Sequence, residues 1–575
     1  MKNRISISFL MFLSIGLAQI NFSGSLVSNS GSSENSFNYS ENRFSLNSDW
    51  NNWIGWLELE HSNPPELGRK NIGLRKIRIE YQGNNFALKL GDIYEYWGNG
   101  LIFNMIDDQS IDLDTGLKGA LISYTNDFAI FEYIYGNQRS WRSTIHMPDF
   151  DERIPNFRSN YILNGVKTSF NLQNSSYDFY LLDVANNAID FDINSTLNKS
   201  SIETSSLLSG FSLNYAYNNF ELDYHFTGKV KHKGSAHNFN SYVFLNDFSF
   251  SLSLKDYYFD KLSPDNRWDF INNPNGVAFF QQMPTVFKTH SSLYLARATH
   301  RVDYNDELGF SFTVEKQNRS NGSFIFNYSQ SSRHAEWENV ADQNSAFVWS
   351  VKDRTTLPSS KWQYNPFQEI YFEVNGYHDS KLFYQMSYAN SYDVLDIFSS
   401  KYLQSGHAYS YEALNAKTIP IIMSYEFDSR NSINTQIEYQ ILKKGIYSIN
   451  PNSANLNQSF GSSFSEKVQR NKFISIGFSR SPKWSISLNI DNTNTEDILI
   501  IEKKRSSNFI ENLLHPYIDK SLTWSNVELI FNPYNSTQIS LSYGSQRGGV
   551  LCSNGICRYV QSFENGLKFG ITAAF

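Results

Sequence analysis

Apolar and polar residues alternate along most of this chain, in segments that are separated by turn-forming residues. Residues 566–575 (GLKFGITAAF) show it most clearly, because apolar side chains occupy one parity and Gly, Lys and Thr dominate the other. Side chains of a strand alternate with a period of two, so this pattern predicts strands with one apolar face. The same alternation occurs at 248–255, 308–315, 484–490 and 539–544.

The last predicted strand ends on Phe575, the final residue of the sequence. A membrane strand that ends on an aromatic residue is typical of outer-membrane β-barrels, and it resembles the signal read by the bacterial barrel-assembly machinery. Soluble propellers and tandem sandwiches also contain many alternating strands. They do not require short turns on one side and long loops on the other, so we expect an all-β fold, a large single-chain antiparallel transmembrane β-barrel.

Tight turns built from Asn, Asp, Gly, Ser and Pro set the expected number of strands. They are predicted near residues 50, 84, 126, 173, 218, 247, 306, 335, 379, 430, 482 and 535. With a leading and a closing strand, this spacing predicts about 26 strands, within a range of roughly 22–30, and an even number. The short turns are then periplasmic, and long segments such as 98–116 and 257–290 are extracellular loops. Alternation begins near residue 20, so no large N-terminal plug is expected.

The start of the chain predicts export. Lys2 and Arg4 precede an apolar run over 5–15, and the small residues Gly16 and Ala18 follow at the −3 and −1 positions before Gln19. This is the pattern of a secretory signal, so we expect a signal peptide over 1–18 and a barrel over 19–575. The apolar run is too short to cross a bilayer, and a chain exported in this way crosses the membrane with strands. We therefore expect the outer membrane of a Gram-negative bacterium.

Composition and charge agree with a barrel. The chain has 45 Phe, 35 Tyr and 11 Trp, yet its mean hydropathy is −0.44. A barrel spreads apolar residues singly along its strands and places Tyr and Trp at the two interfaces, so outer-membrane lipid is an expected partner. The net charge of −7 gives no basic face, so no nucleic-acid partner is expected.

The only two cysteines, Cys552 and Cys557, flank a short Ser-Asn-Gly-Ile turn. In an oxidising compartment such a pair predicts a local disulfide at a hairpin tip. Free or metal-binding thiols are the alternative, although a metal site needs more ligands than these two. No cofactor or metal is expected.

The densest polar segment covers residues 91–120. It contains many carboxylates, a single lysine and several glycines: Asp92, Glu95, Asp107, Asp108, Asp112, Asp114, Lys118, Gly91, Gly98, Gly100 and Gly119. Glycine within a strand pattern marks a bend or a close backbone approach. The segment could line or constrict the lumen and select cations, bind Ca²⁺, or form a solvated loop. It lacks the third acidic ligand and the closing Glu of an EF-hand loop.

A second polar run lies at 283–303. Read as a strand, it places His290 and His300 on one face but about 33 Å apart, so they could not share a metal ion. We interpret these residues and Arg297 as interfacial or turn-proximal. Nothing in the spacing of the 11 histidines indicates a hydrolase, so the chain is not expected to be an enzyme.

The segment GDIYEYWGNGLIF resembles the motif G-[N/D]-x-Y-E-x-[F/W]-G-x-G-L of an uncharacterised family of outer-membrane β-barrel proteins from Bacteroidota and neighbouring phyla. The run from Pro284 to His300 and the paired cysteines before the closing strand are similar to that family too. The resemblance implies a large single-chain barrel but no substrate, because the family's activity is not established. It singles out Gly91, Glu95, Gly98, Gly100, Asp108, Arg297, His300, Cys552 and Cys557 without assigning them roles.

The leading functional hypothesis is a channel or passive transporter in which residues 91–120 line or constrict the lumen. A different hypothesis is a binding or assembly barrel whose long loops dock an exported protein or a surface lipoprotein. An outer-membrane hydrolase is a remote alternative.

Overall fold

The computed structural model describes residues 20–34, 37–142, 154–155, 157–191, 204–259, 276–318, 322–341, 347–399, 409–449, 462–495, 522–553 and 556–575. The predicted signal peptide at 1–18 lies outside these residues. Among the described residues, helices are too short or too polar to traverse a bilayer.

The described residues form strands and one short α-helix. The strands are β1 (Asn21–Ser32), β2 (Asn38–Trp50), β3 (Trp53–Ser62), β4 (Asn71–Gln82), β5 (Phe86–Ile93), β6 (Tyr96–Trp97), β7 (Phe103–Asn104), β8 (Asp107–Asp108), β9 (Leu113–Asp114), β10 (Leu117–Thr125), β11 (Ala129–Arg142), β12 (Phe157–Leu172), β13 (Ser175–Phe191), β14 (Thr204–Tyr217), β15 (Phe220–Lys229), β16 (Ser235–Leu245), β17 (Phe248–Tyr258), β18 (Asp306–Asn318), β19 (Gly322–Ser332), β20 (Ala335–Ala341), β21 (Phe347–Arg354), β22 (Phe367–His378), β23 (Leu382–Ser399), β24 (Tyr409–Glu426), β25 (Asn431–Ile449), β26 (Ser462–Arg480), β27 (Trp484–Thr493), β28 (Leu522–Tyr534), β29 (Thr537–Gln546), β30 (Gly549–Ser553), β31 (Ile556–Val560) and β32 (Phe563–Ala574). The helix is α1 (Leu293–Arg297), and single 3-10 turns occur at Gly98–Gly100 and Trp362–Tyr364.

Twenty-four of these strands form one antiparallel sheet that closes on itself. Neighbours in the chain are neighbours in the sheet, except where short strands intervene and β5 pairs with β10, β19 with β22, and β29 with β32. The seam closes where β32 pairs with β1. There the N–H of Gly24 donates to the carbonyl of Phe575 at 2.9 Å, and the N–H of Phe575 donates back at 3.0 Å. The predicted closed all-β barrel is confirmed.

The number of barrel strands is 24, close to the expected value of about 26, and two misplaced turns account for the difference. Turns were predicted near 306 and 335, but residue 306 begins β18 and residue 335 begins the short strand β20. The chain instead reverses between Asn318 and Gly322, which are register partners. The residues around 306 resemble a turn because they end a polar loop, so local composition was misleading there.

Alternation along the strands separates lipid from lumen, as β11 shows. Phe131, Tyr133 and Tyr135 are exposed on the outer face, whereas Ile134 between them is fully buried. An apolar outer surface on a sheet without open edges is the arrangement that a bilayer demands, because a closed sheet pairs its backbone polar groups between neighbouring strands. The protein is an outer-membrane β-barrel.

Two segments fold into the lumen and pack against its wall. We call residues 94–116 the first internal segment and residues 276–305 the second internal segment. Trp97 and Phe103 of the first pack with Phe280 of the second, against Leu163 and Leu182 of the barrel wall. Both segments belong to long stretches predicted as extracellular loops, and the first lies within 91–120, the stretch expected to line or constrict the lumen. Packing against the inner face of the barrel wall shields their apolar side chains from water.

Candidate functional site

The two internal segments are joined directly by backbone hydrogen bonds. The N–H of Asn104 donates to the carbonyl of Phe280 at 2.8 Å, and Nε2 of Gln281 donates to the carbonyl of Leu101 at 2.7 Å. Gly100, with a φ of 79°, sits beside this contact. The two segments therefore form one unit within the lumen.

Asp107 and Asp114 of the first internal segment are ion-paired with the barrel wall. Nη2 of Arg75 on β4 lies 2.5 Å from Oδ1 of Asp107, and Nζ of Lys76 contacts Asp114. Arg75 also contacts Glu58 and lies 3.0 Å from Oε2 of Glu60. Burial alone would raise the pKa of Asp107, but the hydrogen bond from Arg75 and the charge of Lys76 lower it.

We call these six residues the β4 cluster: Glu58, Glu60, Arg75, Lys76, Asp107 and Asp114. It combines four carboxylates with two cations. The sequence segment 91–120 contains only one cationic residue, Lys118, so the segment alone does not show which cations neutralise its carboxylates. The cations that hold Asp107 and Asp114 come from a strand that precedes the segment.

The other predicted acidic residues stabilise the local backbone or pair with nearby lysines. Asp92 accepts the N–H of Ile77 at 2.7 Å and lies 3.8 Å from the largely exposed Nζ of Lys118. Glu95 accepts a hydrogen bond from Nζ of Lys89 at 2.6 Å.

Asp108 and Asp112 shape the tip of the first internal segment. Oδ1 of Asp108 accepts the N–H of Ser110 at 3.0 Å, and Oδ2 of Asp112 accepts the N–H of Arg69 at 3.2 Å. Among the described residues, no group of three or more His, Cys, Asp and Glu side chains is arranged to hold a metal ion.

The predicted glycines mark close approaches of the chain. Gly91, Gly119 and Gly136 are register partners across β5, β10 and β11. A Cβ on Gly119 would lie 2.0 Å from the carbonyl oxygen of Tyr135, so this row of glycines lets the strands approach. Gly98 begins the 3-10 turn at the centre of the first internal segment.

The second internal segment is anchored by carboxylates on distant strands. Glu438 of β25 accepts the N–H groups of Leu293 and Tyr294 at 2.8 and 2.9 Å. Asp491 of β27 accepts the hydroxyl of Tyr294 at 2.7 Å and Nη1 of Arg297 at 2.9 Å. Residues 283–303 were interpreted as a strand, and that interpretation is wrong because helix α1 and extended loops occupy this stretch.

His300 lies between two carboxylates rather than at an interface. Its Nδ1 is 2.8 Å from Oδ2 of Asp393, and its Nε2 is 3.3 Å from Oε1 of Glu307, which Lys255 also contacts. Burial alone would lower the pKa of His300, but the two carboxylates outweigh it and raise the pKa.

Ser331, His300 and Asp393 together have the composition of a hydrolase triad. Oγ of Ser331 lies 3.4 Å from Nε2 of His300, which is shared with Glu307. A general base must accept a proton at that nitrogen. The raised pKa favours a protonated ring, and Ser331 is buried, so this group has the character of an anchor for the second internal segment.

The predicted cysteine hairpin lies beside the second internal segment. Cys552 and Cys557 are register partners in β30 and β31, although their side chains lie outside what the structure describes. Nη2 of Arg297 donates to the carbonyl of Arg547, just before this hairpin, at 3.2 Å. The disulfide stays a prediction.

A cavity of about 450 Å³ lies between the two internal segments and the wall strands β16 and β17. We call it the lumen cavity. Its lining is Tyr96, Asn99, Asn104, Asn240, Ser253, Gln282, Met283, Pro284, Thr285, Val286, Phe287, Thr289, His290, Ala296 and Thr299. Among them, His290 and Pro284 were singled out in the sequence, and Tyr96 and Asn99 occupy unspecified positions of the segment GDIYEYWGNGLIF. The others are neutral residues that give no signal of their own.

Comparisons with known proteins identify a family but no activity. The family described as "Family of unknown function (DUF6029)" matches residues 13–575. No curated protein matches the chain. Among solved structures, the copper transporter OprC has 8% identity and a TM-score of 0.42, covering 97% of this chain and 81% of that one.

Two further solved structures are similar at the same level. The FrpB iron transporter from Neisseria meningitidis has 11% identity and a TM-score of 0.43, covering 96% of this chain and 81% of its own. The siderophore receptor PirA from Pseudomonas aeruginosa has 7% identity and a TM-score of 0.44, and the match covers 96% of this chain and 80% of the receptor chain.

Proposed function

This chain belongs to a family of unknown function, DUF6029, and we propose that it is a gated passage for small solutes across the outer membrane. The observation that carries the proposal is the placement of two internal segments within the lumen of a 24-stranded barrel. A barrel of this size has a wide interior that must be water-filled or plugged. Because the internal segments belong to the barrel chain, movement of part of them is the simplest way to open a path.

The moving part is the acidic portion of the first internal segment, residues 106–114. Trp97 and Phe103 fix the preceding residues in an apolar core. The acidic portion is held by the pairing of Asp107 and Asp114 with Arg75 and Lys76, and by the packing of Ile111 and Leu113 against Phe279. Because Arg75 and Lys76 are buried, removal of their carboxylate partners should weaken this contact strongly. The surplus of carboxylates in the β4 cluster would give the open passage a preference for cations.

Solute flux into liposomes tests this proposal. We expect the double variant Asp107→Asn/Asp114→Asn to admit small solutes several times faster than the wild type, because the acidic portion loses its charged anchors. After the change the β4 cluster would hold two carboxylates and two cations, with Glu58 and Glu60 still on Arg75, while Lys76 would lose both carboxylates that it contacts. Asp379→Asn, at an exposed turn, is the matched control.

Equal flux through the wild type and the double variant would contradict the gate. A stoichiometric protein that co-purifies with the barrel, together with no flux in either form, would instead favour the docking barrel for an exported protein or a surface lipoprotein.

Three further features belong to this proposal. The export signal at 1–18 delivers the chain to the periplasm, and the disulfide between Cys552 and Cys557 fixes a hairpin beside the second internal segment. Phe575 serves the barrel-assembly machinery as its recognition signal. Its exposed ring and its backbone pairing with Gly24 at the barrel seam support that role.

A further inference from the structure

Gln282 is a buried amide that faces the lumen cavity. Its side chain is only 5% exposed, and neither Nε2 nor Oε1 has a hydrogen-bond partner among the described residues. Burying an amide without partners is unfavourable, so such a residue in a native fold needs an explanation. A ligand group that both donates and accepts hydrogen bonds would satisfy both atoms.

Four residues after Gln282, the backbone is held in an unfavourable conformation. Val286, which also lines the cavity, has a φ of 53°, a left-handed value that β-branched residues rarely adopt. Conformations of this kind persist where the surrounding structure enforces them, and they concentrate at binding sites. The strain and the unpartnered amide therefore coincide at one cavity.

Most of the other lining residues are polar, and Met283, Pro284, Val286, Phe287 and Ala296 are apolar. The amides and hydroxyls of the lining can each donate and accept: Asn99, Asn104, Asn240, Ser253, Thr285, Thr289 and Thr299. Nε2 of His290 is already engaged with Glu369 at 2.8 Å. No Asp, Glu, Lys or Arg is among the lining residues.

The lack of Asp, Glu, Lys and Arg in this lining disfavours charged small metabolites. A free amino acid or short peptide carries an ammonium and a carboxylate, and each loses its water on entering a confined site. A sugar hydroxyl is neutral and can both donate to and accept from the amide of Gln282. Among the other lining groups, Asn99 and Asn240 already donate to Asn238, and Thr299 donates to the carbonyl of Ala296. Tyr96, with 53% of its surface exposed, and Phe287 add the aromatic surface that small-molecule sites combine with a few polar groups.

We propose that the lumen cavity binds a neutral mono- or disaccharide, with Gln282 as its central hydrogen-bonding residue. The inference rests on the proposed function in that the sugar reaches the cavity through the lumen. The volume of about 450 Å³ lies within the range of small-ligand sites. The exposed Tyr96 and Thr289 mark the side from which a ligand enters.

Calorimetric titration of the full-length barrel tests the site. The probes are glucose, galactose, N-acetylglucosamine and maltose, compared with glucuronate, glucosamine and dialanine. An amine-oxide detergent is used, because glycoside detergents present sugar headgroups. We expect saturable binding of at least one neutral sugar and weaker binding of every charged probe.

Gln282→Leu separates binding from folding. It removes both amide atoms at nearly constant volume, so sugar affinity should fall about tenfold or more, as expected for two lost hydrogen bonds. The melting temperature should not fall, because the removed atoms have no partner in the protein. Gln138→Leu, a buried lumen-side change on β11 away from the cavity, should leave sugar affinity unchanged.

The proposal is overturned if no neutral sugar binds the folded wild type, if charged probes bind as tightly, or if Gln282→Leu binds like the wild type. The flux measurement stays independent of these results. Sugar binding without any effect of Asp107→Asn/Asp114→Asn on flux would reject the gate and keep the site. Faster flux without sugar binding would keep the gate and reject the site.

Discussion

Gly100 and Gln282 approach so closely that a Cβ on residue 100 would lie 2.2 Å from the carbonyl oxygen of Gln282. The two residues belong to different internal segments, which enter the lumen from opposite parts of the chain. A side chain at position 100 would separate them. This glycine is therefore required for the two segments to act as one unit.

Gly100→Ala should destabilise the packed lumen by about 1–3 kcal/mol, since the added methyl group overpacks the contact and the positive φ disfavours alanine. The urea midpoint of unfolding measures this change. Gly477→Ala in β26 is the control, because its Cβ would lie 3.6 Å from its nearest neighbour. Equal midpoints for the two variants would show that the contact is not tight.

The stability of the barrel should fall as the pH rises through about 9, because of His334. This residue lies between β19 and β20, with its ring nitrogens 2.9 Å from Asp306 and 3.0 Å from Asp256. Burial lowers the pKa of His334, but the two carboxylates outweigh it and raise the pKa to about 9. In the unfolded chain the pKa of a histidine is about 6.5, so below that pH the protonated ring contributes its full stabilisation to the fold. This contribution is lost by deprotonation as the pH rises through the pKa of the folded state.

Thermal melts between pH 6 and 10 test the role of His334. In the wild type, the free energy of unfolding should fall by an amount on the order of 1–2 kcal/mol as the pH rises, and His334→Gln should abolish this fall. The figure is discounted because Asp256 is largely exposed. His378→Gln, at an exposed turn, serves as the control. An identical pH dependence in His334→Gln and the wild type would rule this contribution out.

Glu438→Gln should loosen the second internal segment. The carboxylate accepts two backbone N–H groups at the start of helix α1, and an amide leaves only one oxygen to accept them. We expect faster limited proteolysis within 276–305, with the barrel itself intact. Glu528→Gln, at a half-buried position of β28 far from this segment in the chain, should be cleaved at the wild-type rate. Unchanged cleavage in Glu438→Gln would mean that other contacts are sufficient to hold the second internal segment in place.

Cys552 and Cys557 should resist alkylation until the protein is reduced. Their backbone positions are register partners, as a hairpin disulfide requires. Mass spectrometry of protein from the cell envelope should find no alkylated cysteine before reduction and two afterwards. Alkylation of the unreduced protein would show that the thiols are separate.

Strand alternation was readable from the sequence because it depends on neighbouring residues alone. The pairing of β32 with β1 and the outward apolar face follow from that period. The turn expected near 306 failed because the polar residues there end an internal segment, where local composition resembles that of a turn.

The first internal segment lies within 91–120, which was expected to line or constrict the lumen, but the partners of both segments were not readable because they lie outside them. Asp114 pairs with Lys76 on β4, and His300 pairs with Asp393 on β23. Segment 91–120 was singled out by its own carboxylates and glycines. The lumen cavity was missed because neutral amides such as Gln282 give no signal in a single sequence.

Single-channel recording in planar bilayers tests the gate most directly. We expect the wild-type barrel to stay mostly closed, with brief openings that prefer cations. In Asp107→Asn/Asp114→Asn the open probability should rise about tenfold, the factor expected for roughly 1.4 kcal/mol of lost anchoring, and the cation preference should weaken. A wild-type barrel that is steadily open, with the same conductance and selectivity as the double variant, would contradict the claim that the internal segments gate the lumen.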